Sequence, residues 1–327
     1  MARGPIPPSP LPPRHGVDAQ RFRMPQAGPW TTLRDHLVER LSPGLEPLEV
    51  DRMLAAGEFV DSSGSPVAAD APFVPQSAVW AHRDLPVEAA HPEEPVVLHR
   101  DERLVVIDKP HDMATMPRGQ HVVQSALART RVVTGEARLT PAHRLDRPTA
   151  GVLMFTTEQR WRGAYQRVFA DGLAHKEYLA VAPVRDGLDL PMVRRTHLVK
   201  EHGTHQAHEV AGAEPNAETR VELLDIAPDA GPAGEPLGLY RLTPRTGRTH
   251  QLRCQLHGLG IPVLGDPLYP VERQVPHGDF GSPLQLLAAV LAFDDPVDGT
   301  PRRFVTQRRL ARWPGGWPRA ESLEDRR

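Results

Sequence analysis

The chain has 327 residues, 39% hydrophobic and 24% charged, and a net charge of -2 at pH 7. That length accommodates a large domain and a smaller one, each with its own core, and the near-neutral balance excludes a globally polycationic nucleic-acid binder. A single cysteine, Cys254, excludes an intrachain disulfide, and no stretch reaches membrane-spanning length or forms an apolar signal core, so a cytoplasmic protein is expected.

The 36 prolines predict many loops and short strands. Residues 1–28 are rich in Pro and Arg without apolar periodicity, which predicts a disordered or extended arm. Residues 29–90 read as a small module. Leu33, His36, Leu37 and Leu41 have helical spacing, a second helix runs from Met53 to Gly57, and a short strand and turn follow. Two helices and a hairpin resemble the S4-type RNA-binding module, although the basic residues of such a face are mostly missing.

Residues 91–327 form the main domain. Val96 to Pro110 reads as two apolar strands around a charged turn, Val122 to Arg131 as a helix, and Trp161 to Phe169 as another. Lys176 to Val181 alternates as a strand, residues 183–218 are loop-rich, and Val221–Leu224 and Leu237–Leu242 read as strands. Thr249 to Leu259 has a helical pattern, and Leu284 to Phe293 is an apolar strand or helix. Strands without helical crossovers predict an α+β fold whose mixed, mostly antiparallel sheet is flanked by helices. His197, His202, His205 and His208 lie in a polar loop without carboxylate or cysteine partners in a metal-ligand spacing, so no metal site is expected. Cys254 sits in an apolar helical stretch and reads as a small core residue.

Pro141 to Phe155 carries the strongest chemical signal. A polar, turn-forming cluster runs directly into the apolar run Val152 to Phe155, placing Asp146 at the mouth of a buried strand. Arg144 and Arg147 flank Asp146, and nearby positive charge favours an ionised carboxylate. Asp146 alone is equally consistent with an ordinary turn aspartate. Downstream, Arg241, Arg245, Arg248 and Arg253 form a basic segment with no acid. A second run, Arg302, Arg303, Arg308, Arg309 and Arg312, reads either as RNA contact or as a solvated surface.

Four motifs occur in order: His143-Arg-Leu-Asp146-Arg-Pro-Thr149-Ala-Gly151; Lys176-Glu-Tyr178; Arg245-Thr-Gly-Arg248-Thr-His-Gln-Leu-Arg253; and Gly265-Asp266-Pro-Leu-Tyr269. With Lys109-Pro110 near the start, they resemble the RluA family of RNA pseudouridine synthases from about Val96 to Phe293. The resemblance implies a catalytic domain that isomerises uridine in structured RNA, ribosomal or transfer, with no cofactor and no metal, and as a monomer. It implies that Asp146 is the catalytic nucleophile or base, that Arg248 pairs with it, and that Tyr178 stacks on the target base and assists proton removal. A half-buried strand tyrosine is the plain alternative for Tyr178. His143 and Arg144 would contact the substrate, Arg144 by filling the space an extruded base leaves, while Lys176, Arg245 and Arg253 would meet phosphates. A lone motif carboxylate suits a reaction that keeps its leaving base, whereas ordinary glycosidases use two. Ala150, Leu287 and Asp112 depart from the family's usual Ser, His and Gly, and none removes a catalytic group. A catalytically silent RNA-binding protein and a sugar-active hydrolase remain the alternatives.

Overall fold

The computed structural model describes residues 9–317 except positions 43, 86 and 277. The chain divides into two compact units, one ending at Val87 and one beginning at Glu88. No helix among the described residues is long and apolar enough to cross a membrane.

The first unit contains β1 (Gln20–Arg23), α1 (Leu33–Leu41), α2 (Pro47–Ala55) and β2 (Ala78–Ala81). Thr32 opens α1 with a reciprocal cap: its hydroxyl accepts the Asp35 N–H at 3.2 Å and the Asp35 carboxylate accepts the Thr32 N–H at 3.1 Å. Leu33, Leu37 and Leu41 then share one face and meet Val50, Met53 and Leu54 of α2 and Phe22 of β1. Pro47 starts α2 earlier than the apolar spacing predicts, because its fixed φ suits the first helical position. Residues 1–28, expected as a disordered or extended arm, include the strand β1. Residues 1–8 lie outside the described residues, but β1 pairs antiparallel with β2 and buries Phe22 and Met24, the alternate residues that a strand turns to one face. The arm's second half is therefore part of this unit's core.

The second unit runs β3 (Val96–Arg100), β4 (Leu104–Lys109), α3 (Ala126–Thr134), β5 (Thr140–Pro141), β6 (Ala150–Thr156), α4 (Gln159–Ala170), β7 (His175–Pro183), β8 (Met192–Thr196), β9 (Leu198–Val199), β10 (His208–Glu209), β11 (Ala217–Ala227), β12 (Leu237–Pro244), α5 (Gln251–Gly258), β13 (Leu286–Asp294) and β14 (Pro301–Val305). One sheet takes the order β3-β4-β6-β13-β7-β12-β11-β8, with β5 on β6 and β14 on β13. Its pairs are antiparallel except β6 with β13, so the expected mixed, mostly antiparallel sheet is present. Two differences from expectation stand out. The 183–218 stretch contains three strands, and β14 follows the last apolar run. Both segments are short or half exposed, so they carry little apolar periodicity.

β4 and β6 are buried along their whole length. Val105, Ile107, Leu153 and Phe155 pack toward Leu127 of α3, while Val106, Val152 and Met154 pack toward Tyr165 and Val168 of α4. Each such side chain contributes about 1.5–3 kcal/mol on burial, so the continuous apolar run of β6 makes a stiff base for the loop before it. On the other half of the sheet Leu252 and Leu256 of α5 pack on Ala180, Ala182 and Leu242. At Gly151 the backbone of β13 comes close to β6. Its φ is 109°, and a Cβ there would lie 2.7 Å from the Ala288 nitrogen and closer still to its oxygen.

Candidate active site

The loop before β6 is fixed from several sides. Leu145 donates its N–H to the Thr115 hydroxyl at 3.2 Å, and that hydroxyl donates back to the Leu145 carbonyl at 2.8 Å. Lys109, wholly buried at the end of β4, donates from Nζ to the carbonyls of Met113 (2.7 Å), Pro110 (3.0 Å) and Arg147 (3.0 Å). Burial pulls the Lys109 pKa down to about 7, opposed by the charges of Asp112 and Asp146. Next to it, buried Asp108 accepts from the Thr306 hydroxyl at 2.8 Å and the Gln307 N–H at 2.6 Å, pinning the segment after β14. His111 Nδ1 lies 2.9 Å from the Pro148 carbonyl, and the Thr149 N–H closes a turn onto the Asp146 carbonyl at 3.1 Å. Asp146 is thereby presented on a rigid loop with its side chain 30% exposed.

The ion partner of Asp146 is Arg253, where Arg248 was expected. Arg253 Nη1 donates to Asp146 Oδ2 at 3.2 Å, while Nε and Nη2 grip Asp266 at 2.7 and 2.5 Å. Arg253 is 2% exposed and Asp266 1%. Burial lowers the Arg253 pKa, but the bonds and charges of the two carboxylates more than offset it, leaving it raised. Asp266 also accepts the backbone N–H groups of Leu268 (2.8 Å) and Tyr269 (3.2 Å), so the Gly265-to-Tyr269 turn exists to aim this carboxylate at α5. The guanidinium lies 5.5 Å over the Tyr269 ring. Asp146 Oδ1 accepts no hydrogen bond from the described residues, so one oxygen is held and the other is open. His250, with φ of 56° at the start of α5, puts Nε2 3.9 Å from Asp146 Oδ2, and burial lowers its pKa.

Arg248 is exposed and donates from Nε to the Asn216 carbonyl at 3.2 Å. Its loop is tied down by Gln251, whose side-chain oxygen accepts from the Arg248 N–H at 3.0 Å and the Thr246 hydroxyl at 2.8 Å. The assignments of Arg248 and Arg253 therefore exchange: the one expected on phosphate is the buried ion partner, and the expected partner faces solvent. The flanking arginines do not pair with Asp146 either. Arg144 is exposed and makes no hydrogen bond or ion pair with described residues, and Arg147 Nη1 lies 3.3 Å from His121 Nε2.

Tyr178 on β7 packs against the cluster of Leu145, Leu153 and Ala288. Burial and then the Asp146 charge raise its pKa, so it stands near the carboxylate as a neutral phenol. The ring therefore offers an aromatic face and a hydroxyl beside the loop that carries Asp146. Leu287 and Ala288 of β13 lie against Ala150 and Gly151, behind the loop. Lys176 donates to the Thr246 carbonyl at 3.3 Å, a tie between β7 and the Arg245–Arg248 loop, not a free phosphate contact. His143 turns inward: Nε2 accepts the Met154 N–H at 3.1 Å, the ring stacks on Phe169 at 4.4 Å, and burial pulls its pKa to about 3. It braces β6 through this bond. Arg245 keeps its side chain 80% exposed. In the later basic run Arg302 pairs with Asp101 (3.1 Å) and Asp295 (3.2 Å), and Arg308 pairs with Glu93, so these two are structural.

Asp266, Lys109 and Thr115 carry the site's geometry without having been assigned roles from sequence. The available signal for Asp266 was a carboxylate next to a glycine at a turn; nothing local marks Thr115.

A family model described as RNA pseudouridylate synthase matches residues 103–258. The chain is 31% identical over 216 residues to the dual-specificity RNA pseudouridine synthase RluA of Pasteurella multocida, covering 62% of this chain and 87% of that protein. It is 28% identical over 241 residues to an uncharacterized RNA pseudouridine synthase of Synechocystis sp., covering 71% and 72% respectively. Human RNA pseudouridylate synthase domain containing 1 shares the fold, with a TM-score of 0.54 at 22% identity over 68% of this chain and 86% of that one.

Proposed function

Since the chain belongs to the RluA family of RNA pseudouridine synthases, and is thus an isomerase acting on RNA, we propose that Asp146 is its catalytic nucleophile or base. The observation that carries this reading is a partly exposed carboxylate with one oxygen held by buried Arg253 and the other open. In the reaction the bond from C1′ to N1 of uridine breaks, the uracil turns, a C1′–C5 bond forms, the C5 proton leaves, and N1 takes up a proton. Asp146 Oδ1, which accepts no hydrogen bond from described residues, would attack the sugar or take a proton. Arg253 fixes the carboxylate in orientation through its hydrogen bond to Oδ2, so no reorganisation is needed at the moment of reaction. Tyr178 supplies an aromatic face for the uracil.

The target uridine must leave its stack to reach this loop. Arg144, exposed and unpaired two residues before Asp146, suits the vacated space, and exposed Arg245 and Arg248 suit the flanking phosphates. Ribosomal RNA is favoured over transfer RNA as substrate, because the N-terminal unit adds surface for a large structured target. The test is tritium release from C5-labelled uridine RNA. Wild-type protein should release tritium, and Asp146→Asn should abolish release while keeping RNA affinity. Activity persisting in Asp146→Asn would remove Asp146 from the mechanism, and free uracil as the product would indicate a hydrolase instead. Mapping pseudouridines in RNA from a deletion strain would name the site.

A further inference from the structure

A cavity of about 600 Å³ opens in the N-terminal unit, lined by Arg23, Met24, Gln26, Trp30, His36 and Arg40 among others. The volume lies in the range of about 300–1,000 Å³ typical of small-ligand sites. His36 sits on the buried face of α1 with Leu33 and Leu37, because it falls at the same helical spacing. It is 4% exposed, yet neither ring nitrogen has a hydrogen-bond partner among the described residues. Burial, and then the Arg40 charge, lowers its pKa, so the ring is neutral and offers one donor and one acceptor. Buried polar groups are normally satisfied, which makes a cavity-lining histidine with both buried nitrogens unpaired among the described residues an indicator of a missing partner.

The walls indicate what that partner is. Trp30 meets His36 edge to face at 4.4 Å and is fixed by its Nε1–H, which donates to Glu39 at 2.7 Å. Gly28 leaves no room for a Cβ beneath the indole. Arg23 and Arg40 are exposed at the rim, and their side chains make no hydrogen bond or ion pair with described residues. A free phosphate would satisfy the arginines but not a neutral imidazole beside an indole. A nucleotide satisfies all three, because its base has an edge to hydrogen bond, a face to stack, and phosphates on either side.

We propose that this cavity takes one unstacked nucleotide of the RNA substrate, its base against Trp30 and His36 and its phosphates on Arg23 and Arg40. The site would hold the RNA independently of the Asp146 loop. The inference rests on the reading of the chain as an RNA isomerase.

The test uses the full chain and a fluorescein-labelled single-stranded RNA decamer of mixed sequence, followed by anisotropy. His36→Phe keeps an aromatic ring, slightly larger, and removes both nitrogens. It should weaken binding about tenfold while leaving the melting temperature unchanged or higher, whereas a purely structural His36 would give unchanged affinity. Arg23→Gln with Arg40→Gln, on exposed positions, should reduce the slope of log affinity against log salt by about 0.7 for each arginine. Wild-type affinity in the double arginine variant overturns the proposal, as does unchanged binding in a folded His36→Phe. Tritium release is measured on the same wild-type preparation. Weakened variants without any isomerisation would sink the enzyme reading and keep the pocket; isomerisation with unaffected variants would do the reverse.

Discussion

Arg253 reaches Asp146 with Nη1 at 3.2 Å while its other two nitrogens are closed on Asp266 at 2.7 and 2.5 Å. A carboxylate with no exposure thus sets the guanidinium, and the guanidinium sets the carboxylate that meets solvent. Arg253→Lys loses the fork that spans both acids and should lower single-turnover tritium release about a hundredfold in a folded protein. Arg253→Gln leaves Asp266 buried and unpaired, and should cost about 3–5 kcal/mol in urea unfolding. Wild-type turnover in Arg253→Lys would show that the pair does not serve the reaction.

Arg248→Gln gives the complementary result. Its side chain is exposed and, among the described residues, bonded only to the Asn216 carbonyl, so kcat should stay within about twofold while KM rises and binding becomes less salt-dependent. A kcat loss as large as that of Arg253→Lys would return Arg248 to the catalytic group.

Gly151 tests the sheet behind the loop. Alanine at φ of 109° is strained, and its Cβ would meet the Ala288 backbone, which cannot swing aside as a side chain could. Gly151→Ala should cost about 3 kcal/mol or more, and a stability change near zero would mean that β6 and β13 can separate without loss.

His143 makes stability depend on pH. Its folded pKa is about 3 against an ordinary value of 6.5. The folded ring therefore stays neutral while the unfolded chain takes up a proton as pH falls below 6.5. Stability contributed by His143 is present above that pH and falls by at most about 1.4 kcal/mol per pH unit on the way to pH 3. His111, with a folded pKa of about 4, acts in the same direction. Urea midpoints at pH 7.5 and 5 should differ less in His143→Gln, which can still accept the Met154 N–H. Equal pH slopes in both proteins would remove His143 as the cause.

The sheet's central strands were legible because burial on both faces demands a continuous apolar run, as in Val152 to Phe155. Helices α1, α4 and α5 were legible from their 3.6-residue spacing. β14 and the strands between Pro183 and Ala217 were not, because half-exposed edge strands need no such run. The second half of the N-terminal arm was missed because only two alternating residues, Phe22 and Met24, carry its burial. Among the candidate site residues, the motifs pointed to Asp146 and Tyr178, which the fold brings near each other, and to His143, whose Nε2 accepts the Met154 N–H.

By itself the sequence determined the order of the motifs, the loop-to-strand join that presents Asp146, and the family to which those residues belong. Tertiary structure alone decided which arginine meets the carboxylate. Arg248 and Arg253 belong to one motif and share one side chain, and nothing local ranks them. Arg253 falls on the buried side of α5, where the turn at Asp266 waits for it, while Arg248 precedes the helix and faces water. Asp146 and Arg253 are 107 residues apart. An ion pair depends on distance and on exclusion of water, and both are set only when α5 packs against the strands behind the Asp146 loop.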